Sequence, residues 1–146
     1  GFSQKVKIIK KGAFSNCNDL QKVFIPENSE LEKIWEESFY SSSINSITIP
    51  SNVTFIGDSA FSRCKKLKRI RFSNDKNLTV INNYAFCESS INCIQIPSSV
   101  KKLGIFAFSS CRNLQIAEIN QNIKTEMLEH IFYDSVNAMI MCPNWC

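Results

Sequence analysis

Glycine is scarce in this chain, with 4 in 146 residues, and histidine nearly absent, with His130 alone. So few glycines do not build the loop that cradles a phosphate group. No Ser or Cys of a repeated position stands beside His130 to make a nucleophile–base pair. With Glu129 as its neighbour, it reads as a partly exposed residue of a terminal helix or turn. No catalytic residue, cofactor or metal is therefore expected. Long apolar runs are missing too: nothing approaches the roughly 18 to 20 residues of a membrane span, and Phe2-Ser3-Gln4-Lys5 lacks the apolar run of a secretory signal. No membrane span is expected in this segment. Nor is there a large excess of one charge, since 17 Lys and Arg against 13 Asp and Glu give a formal +4. That permits weak attraction to acidic partners and falls short of the surplus of a dedicated nucleic-acid binder, so no specific nucleic acid is expected. With 146 residues and 44% hydrophobic content, the chain is long enough to bury one core and too short for two, so 1–146 is expected to be one domain.

What the chain does have is periodicity. An aromatic preceded by a small residue recurs as Ala13-Phe14, Ser38-Phe39, Ala60-Phe61, Ala85-Phe86 and Ala107-Phe108, and more loosely as Ile131-Phe132, at spacings of 25, 22, 25, 22 and 24. Units of 25 and 22 residues alternate. The long unit reads Phe14, Cys17, Leu20, Val23, Ile25, then Phe61, Cys64, Leu67, Ile70, Phe72, with a third copy at Phe108, Cys111, Leu114, Ala117, Ile119. The short unit reads Phe39, Ile44, Ile47, Ile49, Pro50 and again Phe86, Ile91, Ile94, Ile96, Pro97. An apolar pair precedes each Phe: Val6 and Ile9, Leu31 and Ile34, Val53 and Ile56, Leu78 and Ile81, Val100 and Leu103.

The segment Ile47-Thr48-Ile49-Pro50 alternates with period two, the pattern of a half-buried strand, and the proline stops it. One short strand per coil is expected, joined into a parallel sheet in an α/β repeat solenoid of about six coils. Equivalent residues then lie about 4.8 Å apart, and the Phe residues form an interior column. A single coil cannot bury its apolar face, so stability must come from its neighbours. Regular repeats span about 6–120, and an irregular terminal repeat about 121–146.

The units Ile56-Gly57-Asp58-Ser59-Ala60-Phe61-Ser62-Arg63-Cys64-Lys65-Lys66-Leu67 and Ile47-Thr48-Ile49-Pro50-Ser51-Asn52-Val53 resemble the BspA-like leucine-rich repeats, also called the Treponema pallidum type. The resemblance covers about 6–120 well and 121–143 loosely. It implies a right-handed β/α superhelix on surface or secreted proteins of bacteria and parasitic protists. It further implies roles in adhesion to host cells and matrix proteins or in coaggregation, and supplies no set of catalytic residues. The last unit departs from the pattern, with Glu126 near an apolar offset and Ile131 in place of Ala, which marks a terminal coil.

Of the 7 cysteines, Cys17, Cys64 and Cys111 are 47 residues apart, one every second coil. That separates them by about 9.6 Å, beyond the roughly 7 Å that a disulfide spans, so they are expected to be free and buried. Cys87 follows a Phe, and Cys93 should face outward from a strand. Cys142 and Cys146 form either a weak zinc signal, lacking a second pair or a nearby His, or a terminal disulfide.

Outward strand positions form two columns. One holds Phe24, Thr48, Arg71, Gln95, Glu118 and Met141, the other Lys22, Ser46, Arg69, Cys93, Ile116 and Met139. Interior columns repeat and these vary, the division expected between packing positions and a surface free to fit a partner. Arg63, Lys65, Lys66 and Lys68, with Arg69 and Arg71, make a basic patch that suits acidic proteins, sulfated glycans or nucleic acid, or is simply a solvated face. Interleaved aromatics are missing, which weakens the single-strand nucleic-acid version. Asn52-Val53-Thr54 and Asn77-Leu78-Thr79 fit the glycosylation sequon. The expected function is a non-enzymatic interaction or adhesion module whose candidate surface is Lys22, Phe24, Ser46, Thr48, Arg69, Arg71, Gln95 and Glu118. The alternative is a structural spacer. Phe2 and Val6 enter the first coil without a polar cap, so further repeats or end-to-end self-association are also expected.

Overall fold

The computed structural model describes residues 2–73 and 76–142. About six coils stack as a parallel β-solenoid, and each regular coil contributes to two ladders where the sequence predicted one. The first ladder runs β1 (Ile8–Ile9), β2 (Lys33–Ile34), β4 (Phe55–Ile56), β6 (Val80–Ile81) and β8 (Lys102–Leu103), all parallel. Its register aligns Ile9, Ile34, Ile56, Ile81 and Leu103, the second members of the apolar pairs. The second ladder is the predicted one. It comprises β3 (Ser46–Ile49) paired with β5 (Arg69–Phe72), then β7 (Cys93–Gln95), β9 (Ile116–Glu118) and β10 (Met139–Met141), with a break between β5 and β7. Two-residue strands carry too little alternation to be read from sequence, which is why the first ladder was missed.

The expected helical half of each coil is also different. Among the described residues, helix is confined to a 3₁₀ turn at Thr125–Met127 and one α-helical turn, α1 (Leu128–Ile131). In the regular coils the segment around each Phe is a chain of tight turns. The residues two before and two after the Phe have left-handed φ of 53° to 63°: Gly12 and Asn16, Glu37 and Ser41, Ser59 and Arg63, Tyr84 and Glu88, Phe106 and Ser110. This alternation aims every second N–H at the next coil. Phe39 donates to the Ala60 carbonyl at 2.8 Å, Phe61 to Ala85 at 2.7 Å and Phe86 to Ala107 at 2.8 Å. The intervening N–H groups close short turns, as Ser62 does onto the Ser59 carbonyl at 3.1 Å. The spacing explains the choice: the Phe rings stack with centroids 5.1 to 5.2 Å apart from Phe14 through Phe108. An α-helix about 10 Å across cannot repeat at that interval.

Phe39, Phe61, Phe86 and Phe108 are fully buried, near-parallel rings, and Phe132 continues the column at 5.6 Å. Each buried ring contributes about 1.5–3 kcal/mol through lost water contact, with further gain from ring–ring contact. At the other end Phe2 meets Phe14 edge-on at 5.5 Å. The small residues before the rings, Ser38, Ala60, Ala85 and Ala107, have no exposed surface. In the terminal coil Ile123 and Met127 stand in for the apolar pair, and Ile123 is buried despite Glu126 nearby.

Cys17, Ser42, Cys64, Ser89, Cys111 and Ser135 share one position of successive coils, three residues after the Phe. The Cys64 thiol donates to the Phe39 carbonyl at 3.0 Å, the Cys111 thiol to Phe86 at 3.2 Å, and the Ser135 hydroxyl to Phe108 at 2.6 Å. Ser42 lies 3.5 Å from the Cys64 sulfur and Ser89 3.4 Å from that of Cys111. These thiols are thus hydrogen-bonding partners that tie one coil to the next as well as small core residues. Cys17, expected to be buried, is only half-buried. Burial pushes the Cys64 and Cys111 thiols up to about 11, so both stay protonated and unreactive at neutral pH. Among the described cysteines, a thiol reagent added to the native chain is expected to label exposed Cys93 first. Cys64 and Cys111 should react only on unfolding, which mass spectrometry of labelled peptides reads directly. The pairing of Cys142 with Cys146 falls outside the described residues.

Candidate binding surface

Alternation along the second ladder sorts its side chains. Ile47 and Ile49 of β3, Ile70 of β5, Ile94 of β7 and Ala117 of β9 point into the core. Their neighbours Ser46, Thr48, Arg69, Arg71, Cys93, Gln95, Ile116 and Glu118 are exposed. Register then places them in rows: Lys22 beside Ser46 beside Arg69, Thr48 beside Arg71, Cys93 beside Ile116 beside Met139, and Gln95 beside Glu118 beside Met141. With Phe24, which is 72% exposed, the eight candidate residues occupy one face. The face is graded, with cations in the middle at Arg69 and Arg71 and apolar side chains toward the end at Ile116, Met139 and Met141.

Two shallow grooves cross this face. One, of about 680 Å³, has Ser46, Ile47 and Thr48 as its floor, with Phe24 and Glu27 on one side and Arg69, Arg71 and Phe72 on the other. A second, of about 610 Å³, lies at the break between β5 and β7, between Arg71, Gln95, Pro97 and Glu118. The floors are the coils of the short units, whose linkers from Ile49 to Val53 and from Ile96 to Val100 are two residues shorter than those from Ile25 to Leu31 and from Phe72 to Leu78.

The basic patch divides. Arg63 sits on a left-handed corner, bonded to the Glu88 carboxylate at 3.2 Å and lying over the Tyr40 ring at 5.9 Å. Its hydrogen bond to Glu88 and the attraction of that charge raise its pKa further. Lys65, Lys66, Lys68 and Arg69 instead line a hollow of about 580 Å³ with Asn45 and Ser46. Sequence proximity grouped Arg63 with them; in the structure its guanidinium is engaged by Glu88 and the Tyr40 ring.

His130 is exposed in α1, where its carbonyl accepts the Phe106 N–H at 3.0 Å, and the described residues contain no group of three or more potential metal ligands. No helix of the described residues is long and apolar enough to cross a membrane. In the two sequons, the Asn52 amide donates to the Ser29 carbonyl at 2.8 Å and the Asn77 amide to Ser51 at 2.7 Å, so both side chains tie neighbouring coils.

Sequence reasoning missed a second surface feature. Tyr84 stacks on Phe106 at 5.2 Å, and Phe106 meets Tyr133 edge-on at 5.8 Å, with Tyr84 and Tyr133 exposed. The signal was present two residues before each column Phe, where Gly12, Glu37 and Ser59 give way to Tyr84 and Phe106.

Stacked coils, an in-register strand face and interior columns of Phe and aliphatic side chains define a leucine-rich-repeat solenoid. The chain belongs to the BspA-type leucine-rich repeat family: the model described as "BspA type Leucine rich repeat region (6 copies)" matches residues 1–77 and 32–144. Among solved structures it is similar to the pneumococcal vaccine antigen PcpA, with 33% identity over 66% of this chain and 24% of that one and a TM-score of 0.60. It is also similar in fold to a leucine-rich repeat protein from Bacteroides ovatus ATCC 8483, with 22% identity over 97% of this chain and 48% of that one and a TM-score of 0.50. The chain thus spans about a quarter of the first and about half of the second. No curated protein matches it.

Proposed function

We propose that this chain is a non-catalytic interaction module of a surface or secreted protein, binding a host, matrix or partner protein through the strand face of its second ladder. The observation that carries this reading is the contrast along that face: inward positions stay apolar from Val23 through Ile70 to Ala117, while the outward rows change from Lys22 through Arg69 to Met139. Exposed Phe24, Arg69 and Arg71 at one part of the face and Ile116, Met139 and Met141 at another are side chains of the kinds that anchor protein interfaces. Membership of the BspA-type family supports adhesion and a surface location. Parallel strands joined by crossovers wind right-handed in nearly all known cases, and the same hand is inferred here.

The test is an array of matrix and cell-surface proteins probed with the whole chain and with a Phe24→Asp, Arg71→Glu variant. Both side chains are exposed, so folding should be unchanged while binding to any captured protein falls about tenfold or more. Ligands held equally well by both chains would sink the strand-face reading.

A further inference from the structure

We infer that the basic line of the third coil is a binding site for a linear sulfated glycan, laid along the coil and across the solenoid axis. This deepens the interaction reading above and rests on it. Lys65, Lys66, Lys68, Arg69 and Arg71 occur within one short run and are all exposed, because the two residues between them, Leu67 and Ile70, are the ones taken into the core. Among the described residues none of these five cations is in an ion pair, and the Glu88 carboxylate nearby is held by Arg63. The flanking coils border the line with neutral hydrogen-bonding groups, Asn45, Ser46 and Thr48 on one side and Ser90, Asn92 and Gln95 on the other. Sulfates meet the cations, and sugar hydroxyls meet the amide and hydroxyl border.

The backbone beneath is fixed before any ligand arrives. Lys68 donates its N–H to the Asn45 carbonyl at 3.0 Å and accepts the Asn92 N–H at 3.3 Å, and the Ser90 hydroxyl donates to the Lys65 carbonyl at 2.6 Å. Direction follows from strand geometry. Arg69 and Arg71 are about 6.6 Å apart along the coil, so a chain lying that way meets successive cations, whereas one lying along the axis leaves the charged coil after about 4.8 Å. Single-stranded nucleic acid fits less well. It requires aromatic platforms interleaved with the charges, and no aromatic lies between Lys65 and Arg71 in the run: Phe24 stands across the groove from Arg69 and Arg71, and the Tyr40 ring lies under the Arg63 guanidinium.

The experiment measures heparin binding by the whole chain at several salt concentrations, beside non-sulfated hyaluronan and single-stranded DNA. A Lys66→Ala, Lys68→Ala, Arg69→Ala variant is compared with Lys101→Ala, Lys102→Ala, Lys124→Ala, which removes the same charge from exposed positions elsewhere. The first should lose about tenfold or more in heparin affinity and show a shallower salt dependence; the second should stay within about twofold. A sulfated tetrasaccharide should retain most of the affinity, since one coil suffices. In the unsubstituted chain, heparin should protect Lys65, Lys66 and Lys68 from acetylation, a readout independent of how any variant folds. Equal losses in the two variants, no protection of these lysines, or tighter binding of DNA than of heparin would overturn the proposal. Protein ligands still bound through the strand face alongside any of those results would show that only the glycan site had failed.

Discussion

Gly104→Ala is expected to destabilise the chain by about 3 kcal/mol or more, the upper range for overpacking a site with no room to relax. A Cβ on residue 104 would run into the backbone of Asn82 and Asn83, and one on residue 57 would lie 2.6 Å from the Glu36 amide nitrogen. These obstacles are main chain held in the ladder of the preceding coil, so neither can swing aside as a side-chain tip does. Gly12→Ala is the informative comparison. Its Cβ meets nothing closer than Ser15 at 4.0 Å, but its φ is +63°, so its cost is the roughly 1–2 kcal/mol of left-handed backbone. Urea midpoints of Gly104→Ala, Gly57→Ala and Gly12→Ala measure this. If Gly104→Ala unfolds no earlier than Gly12→Ala, the tight contact between the fourth and fifth coils is wrong.

Phe61→Ala should cost about 3–5 kcal/mol, the range for deleting a buried aromatic. Phe61 is fully buried between Phe39 at 5.1 Å and Phe86 at 5.2 Å, so its removal leaves a void bounded by two rings. Those rings cannot collapse inward, because the Phe61 N–H donates to the Ala85 carbonyl and the Phe39 N–H to Ala60, fixing the coil spacing. Coils contact only their nearest neighbours, so the loss should appear as faster amide exchange on both sides of the void before the ends are affected. Phe24→Ala, at an exposed ring, should change stability by no more than about 0.5 kcal/mol. Similar midpoints for the two variants would remove the Phe column from the account of stability.

Much of this was legible because a repeat multiplies a weak signal. A single Ala-Phe pair means little, but its return through Phe108 marks the interior column and sets the number of coils. Period-two alternation around Ile47 and Ile49 identified the second ladder and, by subtraction, its outward rows. Local reasoning failed where two-residue strands such as Lys33–Ile34 offer no alternation to count. Nor could it show that Arg63 is engaged by Glu88, which lies 25 residues further along the chain. Cys64 and Cys111 were read from their spacing as free, buried residues, and the carbonyls one coil away to which they bond lie 25 residues back along the chain.

By itself the sequence determined which side chains face inward, how many coils there are and which residues line the strand face, since all three follow from periodicity along one chain. The tertiary structure decided that the turns around Phe14 through Phe108 are not helices, that a second ladder joins the coils and that Glu88 engages Arg63. The physical reason is one of range. Propensities act between residues a few positions apart, whereas the N–H groups of Phe39, Phe61 and Phe86 find their acceptors a whole coil away, and the roughly 5 Å coil spacing leaves no room for a helix about 10 Å wide.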